Sequence, residues 1–302
     1  MKTIKDLLSN TPIDKSDARV LLGHLVEQHL GWPRSALVSK DQELLPKELV
    51  AQWHEFEQGR LHGQPVAYLI GKKGFHGIDL TVNSSVLIPR PETELLVDLA
   101  IVEIKQRIAN VPQGSSLRVL DLGTGSGAIS LAFAHALRDT NQSGAKIEVI
   151  GVDASSEAIK LARENAIRLH LNNRVQFFQS DWYQDIPTEL LGSFDLILSN
   201  PPYIPPSDTH LHQGDLRFEP RIALTDEHDG LQCIRLILAR CHDFLKNEGL
   251  IAIEHGYDQA EQVRTLMNQV GLFNTESRPD LAGHLRISIG QKSPKTPLAN
   301  RS

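Results

Sequence analysis

The chain has 302 residues, 40% of them hydrophobic and 23% charged, with a formal net charge of -6. That length suits one large domain or two ordinary ones in a packed, soluble class of protein. With 31 Lys and Arg against 37 Asp and Glu, the balance argues against wholesale nucleic-acid binding, and the two cysteines rule out a disulfide framework or a zinc cluster.

The opening stretch, "MKTIKDLLSNTPIDKSDAR", has no long apolar core, and nothing later approaches a membrane span, so a cytoplasmic location without membrane attachment is expected. Residues 1–72 read as an N-terminal helical domain. In "SDARVLLGHLVEQHLG", Val20, Leu21, Leu25 and Leu30 fall near one helix face, with polar starters before them and Gly31 after. "PKELVAQWHEFEQGRL" repeats the pattern with Leu49, Val50, Trp53 and Phe56, which read as core. Then "YLIGKKGFHGIDLTVNSSVLI" mixes apolar and β-branched residues with glycine and asparagine, and predicts a linking β-hairpin over 73–91.

From residue 92 to 290 helix and strand patterns alternate. "ETELLVDLAIVEIKQRI" is an amphipathic helix, followed by the strand "LRVLDLG", the helix "AISLAFAHAL", the strand "KIEVIGVD" and the helix "SSEAIKLARENAIRL". The strands "VQFFQSD" and "FDLILSN" come next, then the helix "GLQCIRLILARCHDFL", which holds Cys233 and Cys241 too far apart to bridge, and the strand "GLIAIEHG". Strands separated by helices predict an α/β fold, a Rossmann-like, doubly wound and mostly parallel sheet with helices on both faces. The tail, 291–302, is polar and is expected to be disordered.

Functional groups gather at the strand tips. After the first strand, "DLGTGSGAI" places Gly123, Gly125 and Gly127 where a loop can turn tightly and press its backbone on a ligand. Gly123, Gly125 and Ala128 also satisfy a loose dinucleotide fingerprint, so the loop alone leaves a nicotinamide enzyme open. Asp153 ends the next strand, where a carboxylate can accept both ribose hydroxyls, an arrangement common to dinucleotide and S-adenosyl-L-methionine (SAM) sites. Asp181 and Trp182 follow the third, where a carboxylate can read an adenine amino group and an indole can pack on the ring, or simply pack in the core.

The fourth tip is Asn200-Pro201-Pro202-Tyr203. A lone Pro-Pro after a strand is ordinary punctuation, but a hydride-transfer enzyme has no evident use for this whole step. Methyl transfer to a planar nitrogen does. The lone pair of an amide or aromatic amine is delocalised, and two acceptors around its NH2 can aim it at a sulfonium methyl. The side-chain oxygen of Asn200 and the backbone carbonyl of Pro201 are suited to that, the prolines fix the backbone, and Tyr203 offers a flat face. Such catalysis is positioning, and no strong general base is needed.

These residues, with "ARVLLGHLV", "PRSAL", "GQPVAYLIGKKGFHG", "VLIPRPETELLV", "EPRIALTDEHDGL" and "DLAGHLRISIG" in order along nearly the whole chain, resemble the HemK/PrmC family of protein-(glutamine-N5) methyltransferases. The resemblance implies SAM as methyl donor, S-adenosyl-L-homocysteine as product, and class I peptide-chain release factors as substrate, methylated at the glutamine of a Gly-Gly-Gln loop. It implies that Gly123, Thr124, Gly125, Ser126 and Gly127 surround the methionine part of SAM, that Asp153 holds the ribose, and that Trp182 lines the adenine pocket. Asn200 would touch cofactor and substrate, and Pro201, Pro202 and Tyr203 would complete the grip on the glutamine. The helical domain would hold the release factor through a second surface. "IPRPETE" is expected near the cofactor mouth, with Arg90, Glu92 and Glu94 given no chemical step. His284 stands where the family pattern commonly has a basic residue, outside the catalytic motifs. The rival readings are a glutamine methyltransferase of a ribosomal protein, an amino-group methyltransferase of DNA or RNA, and a SAM-binding protein without catalysis; direct nucleic-acid binding is not expected.

Overall fold

The computed structural model describes residues 2–112, 114–138 and 145–294. The N-terminal part holds α1 (Ile4–Asn10), α2 (Lys15–Leu30), α3 (Ala36–Ser39), α4 (Lys47–Leu61) and α5 (Val66–Ile70). Helix α1 starts in a reciprocal cap between Thr3 and Asp6, and α2 starts on the Asp14 carboxylate and stops at left-handed Gly31. The buried stripe of α2 is Ala18, Leu21, Leu22, Leu25 and Val26, stepping by three and four residues, and it shares a core with Leu49 and Trp53 of α4. Leu30, half-buried, packs on that core at the far end of the stripe as expected, whereas Val20 falls beside it.

The linking hairpin is shorter than its sequence span. Tyr68–Ile70 complete α5, which left-handed Gly71 closes, and only β1 (Lys72–Phe75) and β2 (Ile78–Thr81) pair. His76 and Gly77, both at positive φ, make the two-residue turn that matches strand twist. Phe75, Ile78 and Leu80 then pack into the core of the larger domain.

That domain contains α6 (Glu94–Ile108), β3 (Ser116–Leu122), α7 (Ala128–Ala136), β4 (Lys146–Asp153), α8 (Ser156–Arg168), β5 (Val175–Gln179) and β6 (Phe194–Ser199). It continues with α9 (Gln232–Phe244), β7 (Leu245–Glu254), α10 (Ala260–Gln269), β8 (Leu272–Pro279) and β9 (Leu285–Lys292). Seven strands form one sheet in the order β5-β4-β3-β6-β7-β9-β8. β3 to β7 are mutually parallel, and β9 runs against both its neighbours. Alternation along β3 sends Leu117 and Val119 to a core shared with α6, α7 and α8, and Leu120 and Leu122 to one shared with α9 and α10. The chain winds outward from β3 to β4 and β5, then returns to the other side of β3 with β6. The crevice for a ligand therefore opens at the carboxyl ends of β3 and β6, where Leu122 stands opposite Ser199.

β6 is buried at every position, including Asp195. That carboxylate accepts from the Arg118 backbone N–H at 2.8 Å and from Lys246 Nζ at 2.6 Å, which accounts for an acid in an apolar strand. β9 reaches Lys292, inside the span expected as a tail; residues beyond 294 lie outside the described ones. Cys233 and Cys241 are both unbridged on α9, and burial pushes the Cys241 thiol up to about 12. Among the described residues no helix is long and apolar enough to cross a membrane, and no cluster of acidic, His or Cys side chains is arranged to hold a metal ion.

The two domains meet around Arg60 at the end of α4. Its guanidinium donates to Asp17 at 2.6 Å, to Asp215 of the larger domain at 3.1 Å and to the carbonyls of Gly63 and Gln64. Arg217 returns the contact by donating to the His62 carbonyl at 3.2 Å.

Candidate active site

Loop residues after β3 are held by their neighbours before any ligand is considered. The N–H groups of Gly123 and Thr124 both donate to the Val152 carbonyl of β4 at 2.9 Å. Gly127 opens α7 at φ 83°, where a Cβ would stand 2.8 Å from the Leu131 side chain, so this corner admits only glycine. Thr124 and Ser126 are buried within the loop. Beneath it, Asp121 Oδ2 accepts from the Thr124 and Ser130 hydroxyls, each at 2.7 Å, and from the Ser130 N–H at 3.2 Å. Asp121 Oδ1 is buried without a hydrogen-bond partner. Burial pushes this carboxyl up to about 6, against the pull of those donors. An unpartnered buried oxygen of this kind costs about 1–3 kcal/mol, and it fits a ligand that brings a cationic donor to the foot of the loop. Asp121 was not among the expected site residues; its signal is the acid that closes a strand just ahead of "GTGSG".

Asp153, at the tip of β4, ties the loop to the next strand. Oδ2 accepts from the Gly125 N–H and Oδ1 from the Ser155 N–H, both at 2.9 Å, so each oxygen keeps a lone pair for a diol. Burial raises its pKa, and the two N–H donors oppose that. Trp182 is half-buried at φ 50°, with its indole 3.7 Å from where a Cβ at Gly123 would stand, and it also packs on the core under α9. Asp181 stands beside it at the same tip. Its carboxylate is exposed and accepts from the Gln184 side chain at 2.9 Å.

The fourth tip carries most of the residues that the sequence left unlinked. Asn200 Nδ2 donates to Thr93 Oγ1 at 3.0 Å, so the amide presents Oδ1 as its free acceptor end. Thr93 is buried in the short 3-10 turn Pro91–Thr93 of "IPRPETE". Tyr203 donates its hydroxyl to Glu254 Oε1 at 3.3 Å, and burial raises the phenol's pKa. The Tyr203 carbonyl accepts from Gln259 Nε2 at 3.0 Å, while Gln259 Oε1 takes the Gly256 N–H. Gly230 closes over the same carbonyl at φ 78°, where a Cβ would stand 2.5 Å from it. A small cavity of about 60 Å³ lies among Arg90, Asn200, Pro201, Tyr203, Leu216 and Leu224, room for a group of few atoms. Pro202 continues the step half-buried beside it.

The three polar residues of "IPRPETE" without an assigned step divide as follows. Arg90 pairs with buried Glu219, which also accepts from the Ile88 N–H at 2.9 Å, so the pair fastens two loops at the cavity wall. Glu94 accepts from the His76 N–H at 2.8 Å and pins the hairpin turn. Glu92 is exposed. His284 stacks obliquely on exposed Tyr257, with ring centroids 5.9 Å apart.

Residues 113–295 match the family described as a methyltransferase domain, and residues 1–71 match the PrmC N-terminal domain. The chain is 43% identical over 293 residues to the release factor glutamine methyltransferase of Burkholderia pseudomallei, covering 96% of each chain. Identity to the protein of that name from Bordetella pertussis is 43% over 290 residues, 96% of this chain and 99% of that one. To its Vibrio cholerae counterpart it is 42% over 275 residues, 91% and 88% of the two. Among solved structures, the hMettl16 catalytic domain in complex with MAT2A 3'UTR hairpin 6 aligns at a TM-score of 0.51 and 12% identity over 82% of each chain, a likeness of fold.

Proposed function

The chain belongs to the release factor glutamine methyltransferases, and from that membership we propose that its strand-tip cleft methylates the side-chain nitrogen, N5, of the glutamine in the Gly-Gly-Gln motif of class I peptide-chain release factors. When bound, SAM supplies an electrophilic methyl on a sulfonium and leaves as S-adenosyl-L-homocysteine. The loop Gly123–Gly127 would take the methionine part, with unpartnered Asp121 Oδ1 beneath it suited to the ammonium group. Asp153 would accept the ribose hydroxyls and Trp182 would line the adenine pocket. A cytoplasmic location goes with such a substrate.

The observation that carries the reading is the orientation of Asn200. One of its two N–H donors goes to Thr93 Oγ1, and its Oδ1 is the acceptor offered to a substrate NH2. Asn200 Oδ1 and the Pro201 carbonyl hold the two amide hydrogens and turn the nitrogen lone pair toward the methyl carbon. The C–N bond forms as the methyl's bond to sulfur breaks, and the acidified N–H gives its proton to water. Tyr203 and Pro202 wall the planar amide. Orientation of this kind contributes on the order of 7–11 kcal/mol. The helical domain would hold the release factor through a separate surface.

The test is transfer of a labelled methyl from SAM to purified release factor, beside duplex DNA and RNA. Label on the factor that disappears with Gln→Ala in its Gly-Gly-Gln loop is the expected result. Label on nucleic acid alone would assign the same chemistry to a different substrate.

A further inference from the structure

Asn165 lies within α8 with no exposed surface, and the reaction above makes no use of it. Asparagine is a poor helix former, and a buried carboxamide is costly unless its donors and acceptors are matched. Here all four are. Oδ1 accepts from the Thr81 N–H at 2.8 Å and from Arg168 Nη2 at 3.1 Å. Nδ2 donates to the Thr81 and Ser126 carbonyls, each at 3.0 Å. Turning the carboxamide over would set its oxygen against two carbonyls and its NH2 against a guanidinium, so its direction is fixed. Thr81 is the last residue of β2, and the carboxamide meets its N–H and C=O as a neighbouring strand would.

The fourth of these bonds reaches a different part of the molecule. Ser126 belongs to the glycine loop after β3, 39 residues before Asn165, and its carbonyl stands outside the ladder of α7. There the Leu131 N–H takes the Gly127 carbonyl, and the Ser130 N–H goes to Asp121. The peptide between Ser126 and Gly127 is held at both ends, its oxygen by Asn165 and its N–H by the Thr124 carbonyl at 2.9 Å. It leads into left-handed Gly127, where the loop becomes the helix. Rotating that peptide would swing Gly125 and Ser126 out of the position in which the loop's backbone can meet a ligand.

We propose that Asn165 is a positioning residue for the cofactor: its carboxamide fixes the Ser126–Gly127 peptide of the glycine loop against the β1–β2 hairpin, and so presets the surface that takes the methionine part of SAM. This rests on the methyltransferase reading above, and only on its cofactor half. The hairpin follows the helical domain directly in the chain, so the same side chain ties the link between the domains to the cofactor loop. A loop already in place need not be ordered when the ligand arrives, which favours binding. Loss of the clamp therefore falls on SAM affinity, and not on methyl transfer once SAM is bound.

The experiment measures S-adenosyl-L-homocysteine binding to the full chain by calorimetry, well below the thermal midpoints, for wild type, Asn165→Ala, Asn165→Asp and Arg168→Ala. Amide exchange of the ligand-free proteins and steady-state kinetics in SAM are read beside it. Asn165→Ala should raise Kd about tenfold, the effect of losing one buried hydrogen bond and stranding its carbonyl. Exchange in residues 123–127 should rise with it, and KM for SAM should rise in step while kcat at saturating SAM holds. Asn165→Asp keeps the acceptor for Thr81 and Arg168 but has no N–H for Ser126, and should weaken binding at least as much. Arg168→Ala loosens the hairpin side instead, since Arg168 donates to the Asp79 carbonyl and to Asn165; it should lower Tm and leave Kd unchanged. An Asn165→Ala protein that binds as tightly as wild type would overturn the proposal. So would the same loss of affinity in Arg168→Ala, which would trace it to the hairpin, or loss of folding in both Asn165 variants, which marks a purely structural residue. A wild type that binds S-adenosyl-L-homocysteine yet labels no release factor would withdraw the substrate reading without touching this proposal, which the binding data decide. One that binds none would withdraw the cofactor reading, and this proposal with it.

Discussion

Asn200 depends on which end of its amide faces the cleft, and that makes it the most exposed point of the mechanism. Asn200→Ala should lower single-turnover methyl transfer by about 10²–10³-fold, in line with losing one preorganised group at a reacting centre, with the fold intact by circular dichroism; retained turnover would refute the role. Asp153→Ala should weaken SAM binding about 10–100-fold by calorimetry, the loss of charged hydrogen bonds, and should change release-factor affinity less; unchanged SAM affinity would remove the ribose assignment. Side chains that stand at the strand tips themselves could be read in the sequence, because strand order alone brings them to one edge. Thr93, Glu254 and Gln259 could not, since their partners lie 107, 51 and 56 residues away and only the fold makes them neighbours. Asp181 stands at a tip as well, where its carboxylate accepts from its near neighbour Gln184.

At the scale of elements, the Asn-Pro-Pro-Tyr step is rigid because it is fastened on both sides. β6 anchors its start with a fully buried strand, and Gln259 and Gly230, just ahead of α10 and α9, close on the Tyr203 carbonyl. Gly230→Ala places a methyl against that carbonyl in a backbone conformation that disfavours side chains. The strain is about 1–3 kcal/mol, so Tm should drop by several degrees in differential scanning and KM for release factor should rise; an unchanged KM would mean the step is held elsewhere. Helices α2, α4 and α6 to α9 and the parallel strands were legible because their periods are clean. β8 was not, because "LFNTESRP" alternates around polar, exposed residues in the manner of a charged edge strand and offers no apolar run. The hairpin was read too long because its second strand stops at Thr81 and the rest of the stretch pairs with no strand before the turn Pro91–Thr93.

For the whole molecule, the division into a helical part and a sheet part followed from the change of texture in the sequence, but not the manner of their joining. The join runs through Arg60 to Asp215, next to Leu216 of the amide cavity. Arg60→Ala should therefore raise amide exchange in residues 208–219 on the order of tenfold, the effect of losing charged hydrogen bonds, as read by mass spectrometry on the full chain. Unchanged exchange there would show that the loop keeps its shape without the helical domain.

The same ion pair carries a consequence in time. Arg60 belongs to a part with its own core, which can fold as soon as it leaves the ribosome, but Asp215 is 155 residues further on. At roughly 5–20 residues per second, that is roughly 8–30 s of waiting. The cavity wall is thus among the last features to take shape during synthesis, and a nascent chain that can already bury its first helices has no finished place for a glutamine until the second domain closes onto the first.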